Sequence, residues 1–180
     1  DGTYDFDFTV FDRYIDTALK YHDKSRLNTV ACYIWGRECG LPRKDKHHEL
    51  EYREKNSRGA LVTLIDPATG RKSDMKLPDY ERPETEQMLR PLLVQVKERL
   101  DSKGLGSSMM MGLSSDPGGI VQNTATLHRI LPDVKWFRHS HFPAGSVPCD
   151  PKDRKKKIPV GATSYVWGSG IPDPAKKRAY

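Results

Sequence analysis

The chain contains no apolar run approaching the roughly 20 residues that a membrane-crossing helix requires, so no membrane span is expected. Its first residues, DGTYDFDFTVFDRY, lack the basic start and continuous apolar stretch of a signal peptide, and both ends read as cut. Cysteine is scarce: Cys32, Cys39 and Cys149 are an odd number without CxxC spacing, which argues against a disulfide framework and a zinc knuckle. GxGxxG, GxxxxGK[ST], GxSxG and HExxH are all missing, so dinucleotide, P-loop, serine hydrolase and zincin chemistries have no motif support. No cofactor is expected. Internal repeats and low-complexity segments are lacking too.

What is present suits a single globular domain. Hydrophobic residues make up 36% and charged residues 30% of 180 residues, enough to bury one ordinary core. Thirty Lys and Arg against 24 Asp and Glu leave a net charge of +6, with much of the excess in KDRKKK (152–157) and KKR (176–178). Such runs suit a polyanion, whether nucleic acid or acidic glycan, but no aromatic residues interleave them as a single-strand binder requires. They are read as a solvated loop and a solvated tail, with no nucleic-acid partner.

Apolar spacing predicts the elements. Phe8, Phe11, Tyr14, Ile15, Ala18, Leu19 and His22 recur at three- and four-residue steps, one face of an amphipathic helix. The run 28–35 (NTVACYIW) reads as a buried strand. In ALVTLIDPATGRKSDMKL, two β-prone runs flank Asp66 to Gly70, a turn ending in a glycine suited to positive φ, so residues 60–77 read as a hairpin. Met88, Leu89, Leu92, Leu93, Val96 and Leu100 form a second helical stripe, closed by Lys103-Gly104. Pro91 within it marks a kink or the first turn of the main helical segment. Residues 108–113 form a strand. A third helix is expected from Asn123 as N-cap, with Leu127, Ile130 and Leu131 inward and Pro132 ending it. Residues 134–139 and 162–167 are two further strands.

This alternation is the order of βα units in a parallel sheet. A complete eight-fold barrel takes about 250 residues. The fold expected is therefore α/β, a partial (β/α) TIM-barrel-like domain spanning 1–180, with a loop and β-hairpin insertion over 37–81 and the remainder of the barrel missing from the chain. An open α/β sheet is the alternative. In either, ligands bind at the C-terminal ends of the strands. Trp35, then Ser114, Ser115 and Asp116, then His139 and His141, and finally Trp167 close successive strands. A carboxylate and two imidazoles can move protons, and indole faces stack on sugar C–H surfaces.

The phrases DFDFTVFDRYIDTALKYH, PLLVQVKERLDSKGL leading into a strand that ends at Asp-Pro, and ILPDVKWFRHSHF resemble the catalytic barrel of glycoside hydrolase family 123 and related domains, over residues 5–142. The resemblance implies a β-N-acetylgalactosaminidase that retains configuration with help from the substrate's own acetamido group, acts on an oligosaccharide or glycan, and is secreted or periplasmic. Members close a strand with an Asp-Glu pair, the Glu as general acid and base and the Asp polarising the acetamide. The pair falls on Ser115 and Asp116: Asp116 takes the acid/base position, while Ser115 can hydrogen-bond an acetamide but carries no charge. Read with the strand ends above, Trp35, His139, His141, Trp167 and Tyr165 are the expected substrate-binding residues.

Each residue also has a plainer reading. Asp116 before Pro-Gly-Gly is a common turn former. Trp35 and Trp167 are equally core aromatics. Tyr33 and Tyr165, one pleat behind them, fill the barrel interior. His139 and His141, two apart on a strand, share a face and form an HxH pair of the kind that holds metals, but with Asp116 and the distant His47-His48 as sole further ligands no metal is assigned. Three function classes stay open: a glycosidase, a non-catalytic carbohydrate-binding relative, and a metal-dependent hydrolase built on His139 and His141.

Overall fold

The computed structural model describes residues 4–34, 61–80, 82–113, 121–139 and 145–164. In chain order these form α1 (Thr9–Tyr21), β1 (Val30–Ile34), β2 (Leu61–Ile65), β3 (Lys72–Lys76), α2 (Pro83–Ser102), β4 (Met109–Leu113), α3 (Val121–Ile130), β5 (Lys135–His139), β6 (Ser146–Pro148) and β7 (Lys157–Ser164). The main sheet has the order β1-β4-β5-β7-β6. Its first four strands are parallel, and β6 runs antiparallel to β7. The protein is thus α/β, with helices alternating with parallel strands.

Helix α1 shows how apolar spacing becomes packing. At about 100° per residue, Phe11, Ala18 and Leu19 fall within about 60° of Ile15, the buried centre of the face, and all three are half-buried. Tyr14 lies about 100° away and is 73% exposed, so it does not belong to the buried face as its spacing suggested. His22 is also exposed, because it is the C-cap and the helix ends beneath it. Polar contacts add to the attachment of α1 to α2: Arg99 Nη1 meets Asp12 Oδ2 at 2.6 Å, and its guanidinium lies 4.2 Å from the Phe8 ring centre.

Helix α2 begins with Pro83 in its first turn beside Glu84 and Glu86, an arrangement that complements the N-terminal end of the helix dipole. It buries Leu89, Leu93, Val96 and Leu100. Two helical turns precede Pro91, so this residue is internal rather than the first turn of the main segment. The end matches the expectation from Lys103-Gly104: Gly104 has φ +71°, its N–H donates to Asp101 O at 2.8 Å, and Leu105 N–H donates to Leu100 O at 2.7 Å. This pair of bonds is a Schellman motif, and the left-handed conformation it needs favours glycine.

The hairpin is formed as expected, with β2 and β3 antiparallel and Gly70 at φ +68°. Asp66 holds its turn by accepting from Ala68 N–H at 2.8 Å and from the Thr69 hydroxyl at 2.7 Å. The segment that follows is tied down by two buried threonines. Thr85 Oγ1 donates to Asp79 O at 2.6 Å, and Thr126 Oγ1 donates to Tyr80 O at 2.7 Å. Helix α3 starts at Val121, so Asn123 is not its N-cap but a buried residue of its first turn.

The last strand also departs from expectation. β7 starts at Lys157, five residues before Ala162, because its first half pairs with β6, which the charged run and two prolines concealed. Ile158 and Val160 alternate into the core there.

The buried residues of all three helices join Met109, Met111, Trp136, Ile158 and Val160 in one cluster. The helices therefore cover a single face of the sheet. On the opposite face Gly112 sits between strands, where an added Cβ would approach Phe137 O to 2.6 Å and the Tyr33 ring to 3.4 Å. Backbone at that distance cannot swing aside. Gly112→Ala should therefore cost about 1–3 kcal/mol in urea denaturation; an unchanged midpoint would show that β4 and β5 separate without cost.

Candidate functional site at the C-terminal strand ends

Pairing brings four strand ends to one edge. Ile34 of β1 is level with Leu113 of β4, Met111 with Trp136 of β5, and His139 with Ser164 of β7. Neighbouring strands lie about 4.8 Å apart, so the row from Ile34 to Ser164 spans about 14 Å. Each of these strands has its C-terminus here because the four are parallel.

His139 is the last residue of β5 and stands in this row. Trp35, Ser115, Asp116, His141, Tyr165 and Trp167 lie outside the described residues, as do Cys39, His47, His48 and the tail 176–178. Trp35 is bonded to Ile34, Asp116 follows Leu113 by three residues, His141 follows His139 by two, and Tyr165 is bonded to Ser164. No group of three His, Cys, Asp or Glu side chains suited to a metal occurs among the described residues.

The face opposite the helices carries an aromatic pair next to this edge. Tyr33 and Phe137 meet edge to face, with ring centres 5.2 Å apart and planes at 89°. Gly112, level with Tyr33, leaves room for the contact. Tyr33 faces the side of the sheet opposite the helices and is 41% exposed. An exposed ring beside strand ends offers the flat apolar surface that sugars use.

Two residues were missed by sequence reasoning. Arg138 and Thr163 are partners on β5 and β7, one residue before the strand ends. The Arg138 Nε and Thr163 Oγ1 atoms are buried and find no hydrogen-bond partner among the described residues. Nothing in the local sequence signals this, since only the β5–β7 register places the two side by side.

A well-defined cavity lies elsewhere. About 400 Å³ in volume, it lies on the helix side of β1 against α2 and the segment after the hairpin, with Phe11, Cys32, Leu77, Tyr80, Met88 and Leu92 in its wall. Its lining contains no carboxylate and no imidazole among the described residues. Burial pushes the Cys32 thiol up to about 11 and raises the Tyr80 hydroxyl as well, so neither ionises at neutral pH.

An open parallel α/β sheet with its strand C-termini on one edge belongs to a class of domain in which ligands bind at that edge. The family profile described as glycoside hydrolase 123, catalytic domain, matches residues 1–142, and the chain belongs to that family. It is thus a glycoside hydrolase domain, and its substrate class is glycans. No curated protein and no solved structure matches the chain.

Proposed function

We propose that the domain hydrolyses β-linked N-acetylhexosaminides of the N-acetylgalactosamine type with retention of configuration, using Asp116 as general acid and base. The observation that carries this reading is the place of β4. It stands between β1 and β5, and Asp116 follows its last residue by three, so the chain can carry it no further than about 11 Å from the middle of the strand-end row.

In the first step of the proposed reaction, the substrate's acetamide oxygen attacks the anomeric carbon as Asp116 gives its proton to the departing glycosidic oxygen. Water then attacks the same carbon, Asp116 takes its proton, and the acetamide oxygen leaves. Two displacements return the original configuration, and no second protein carboxylate is needed as nucleophile. Ser115 would donate or accept a single hydrogen bond at the acetamide, while Trp35, Trp167, Tyr165, His139 and His141 would hold the sugar. As part of the same reading, the domain is a segment of a (β/α) barrel, supported by a strand order that does not reverse along β1, β4, β5 and β7 and by helices on one face. The β2–β3 hairpin, in the connection leaving the C-terminal end of β1, would form one wall of the site. Export to the periplasm or beyond the cell fits a glycan substrate of this class.

Hydrolysis of an aryl β-N-acetylhexosaminide, with the first-formed anomer read by NMR, tests the proposal. The β anomer is expected first; the α anomer would reject substrate assistance. Ser115→Asp should raise kcat by about tenfold or more, because a carboxylate adds charge stabilisation where positive charge develops on the acetamide. An unchanged rate would remove Ser115 from the mechanism. The second reading, a binding relative without turnover, is favoured by the uncharged Ser115, and sugar-dependent thermal stabilisation with no product would establish it.

A further inference from the structure

We propose that the turn joining β6 to β7 is a binding site for an acidic polysaccharide, separate from the strand-end row and independent of hydrolysis. The turn lies beyond the residues matched by the family profile. Residues 149–157 carry five cations against two carboxylates, and these nine residues supply half of the chain's net charge of +6.

Both carboxylates are used within the turn. Asp150 Oδ1 accepts from Lys152 N–H at 2.9 Å and from Asp153 N–H at 3.3 Å, and its Oδ2 takes Lys156 Nζ at 3.1 Å. Asp153 Oδ1 accepts from Lys155 N–H at 3.0 Å, and its carbonyl accepts from Lys156 N–H at 3.0 Å. Cys149 N–H donates to Lys156 O at 3.1 Å, closing the loop onto the β6–β7 ladder. Lys152, Arg154, Lys155 and Lys157 are left exposed, with no ion pair among the described residues. The acids shape the turn, and four cations face solvent from a backbone ordered by at least six hydrogen bonds. Preorganisation of this kind lowers the ordering cost of binding.

The topology extends the surface. β7 runs parallel to β1, β4 and β5, so Lys157 lies on the edge where those strands begin, opposite the strand-end row. Lys135 starts β5 on the same edge, and Lys24 and Arg26 precede β1 there; all three are exposed. Asp23 on this edge is engaged by Ser25 N–H at 2.9 Å, and Asp133 is exposed there. At about 4.8 Å per strand the edge covers about 14 Å, enough for several sugar units. The charged surface lacks exposed aromatic rings for base stacking within the turn, which favours sulfate or uronate groups over single-stranded nucleic acid.

Heparin oligosaccharide serves as the probe, with the whole chain titrated at about 0.05 M and about 0.15 M salt, since charge-driven binding weakens with screening. The variant carrying Lys152→Gln, Arg154→Gln, Lys155→Gln and Lys157→Gln keeps Lys156 and both aspartates, and so keeps the turn. It should bind heparin at least about tenfold more weakly with a shallower salt dependence, while its thermal unfolding is unchanged. A control with Arg71→Gln and Lys72→Gln on the other hairpin should bind as the parent does. Equal binding by the fourfold variant, equal loss in the control, or tighter binding to duplex DNA than to heparin of matched charge would each overturn the proposal.

Discussion

Asp116→Asn is expected to lower kcat for a β-N-acetylhexosaminide by about 10²- to 10⁴-fold, the range that a positioned proton donor supplies. The amide keeps the size and turn-forming capacity of the side chain but has no transferable proton. The loss should be greater for an alkyl leaving group than for an aryl one, because a poorly stabilised alkoxide depends more on protonation in the transition state. A free Asp titrates near about 3.9, so a donor working near neutrality requires a site that raises its pKa by burial against an apolar surface. The acidic and basic limbs of the pH–rate profile would report that environment directly. If Asp116→Asn unfolds the chain while the folded fraction keeps its specific activity, Asp116 is a turn former and the acid/base role is wrong.

The second large effect concerns stability. Trp136 is 2% exposed on the helix side of β5, among the residues that α2 and α3 cover. Trp136→Ala should destabilise the domain by about 3–5 kcal/mol, from lost burial and the cavity left between sheet and helices. Domains of this size are stable by about 5–15 kcal/mol, so the loss is about a fifth or more of the total. Urea denaturation followed by circular dichroism measures it. A change under about 1 kcal/mol would mean that the helix layer does not press on β5. Phe137, the next residue, points to the other face and packs edge to face on Tyr33, so Phe137→Ala affects the surface of the site more than the helix layer.

These two predictions draw on different kinds of information. Asp116 was singled out by its position after an apolar run and by the family resemblance, and the structure contributes the parallel placement of β4 that carries the chain toward the strand-end row. Trp136 was legible only as part of a strand. Its face, and hence its weight in the core, follows from the register with Met111 and from the side on which the helices lie.

Local rules determined the elements whose signals are contained within a few residues. Gly104 and Gly70 hold left-handed conformations that glycine adopts at least cost, so the end of α2 and the turn of the hairpin were readable directly. The stripes of α2 and the apolar runs of β1, β4 and β5 were equally plain. Contacts distant in sequence decided the rest. Tyr14 has the helical spacing of a core residue, yet the covered strip of α1 is too narrow to include it. β6 is three residues long and gains its ladder only from the first half of β7, where Lys157 and Pro159 disguise the strand. Arg138 meets Thr163 through register alone. The run KDRKKK announced its charge in the sequence, but only the folded turn determines which cations remain unpaired, because Asp150 and Asp153 are bound by amides and a lysine brought to them by the backbone's return.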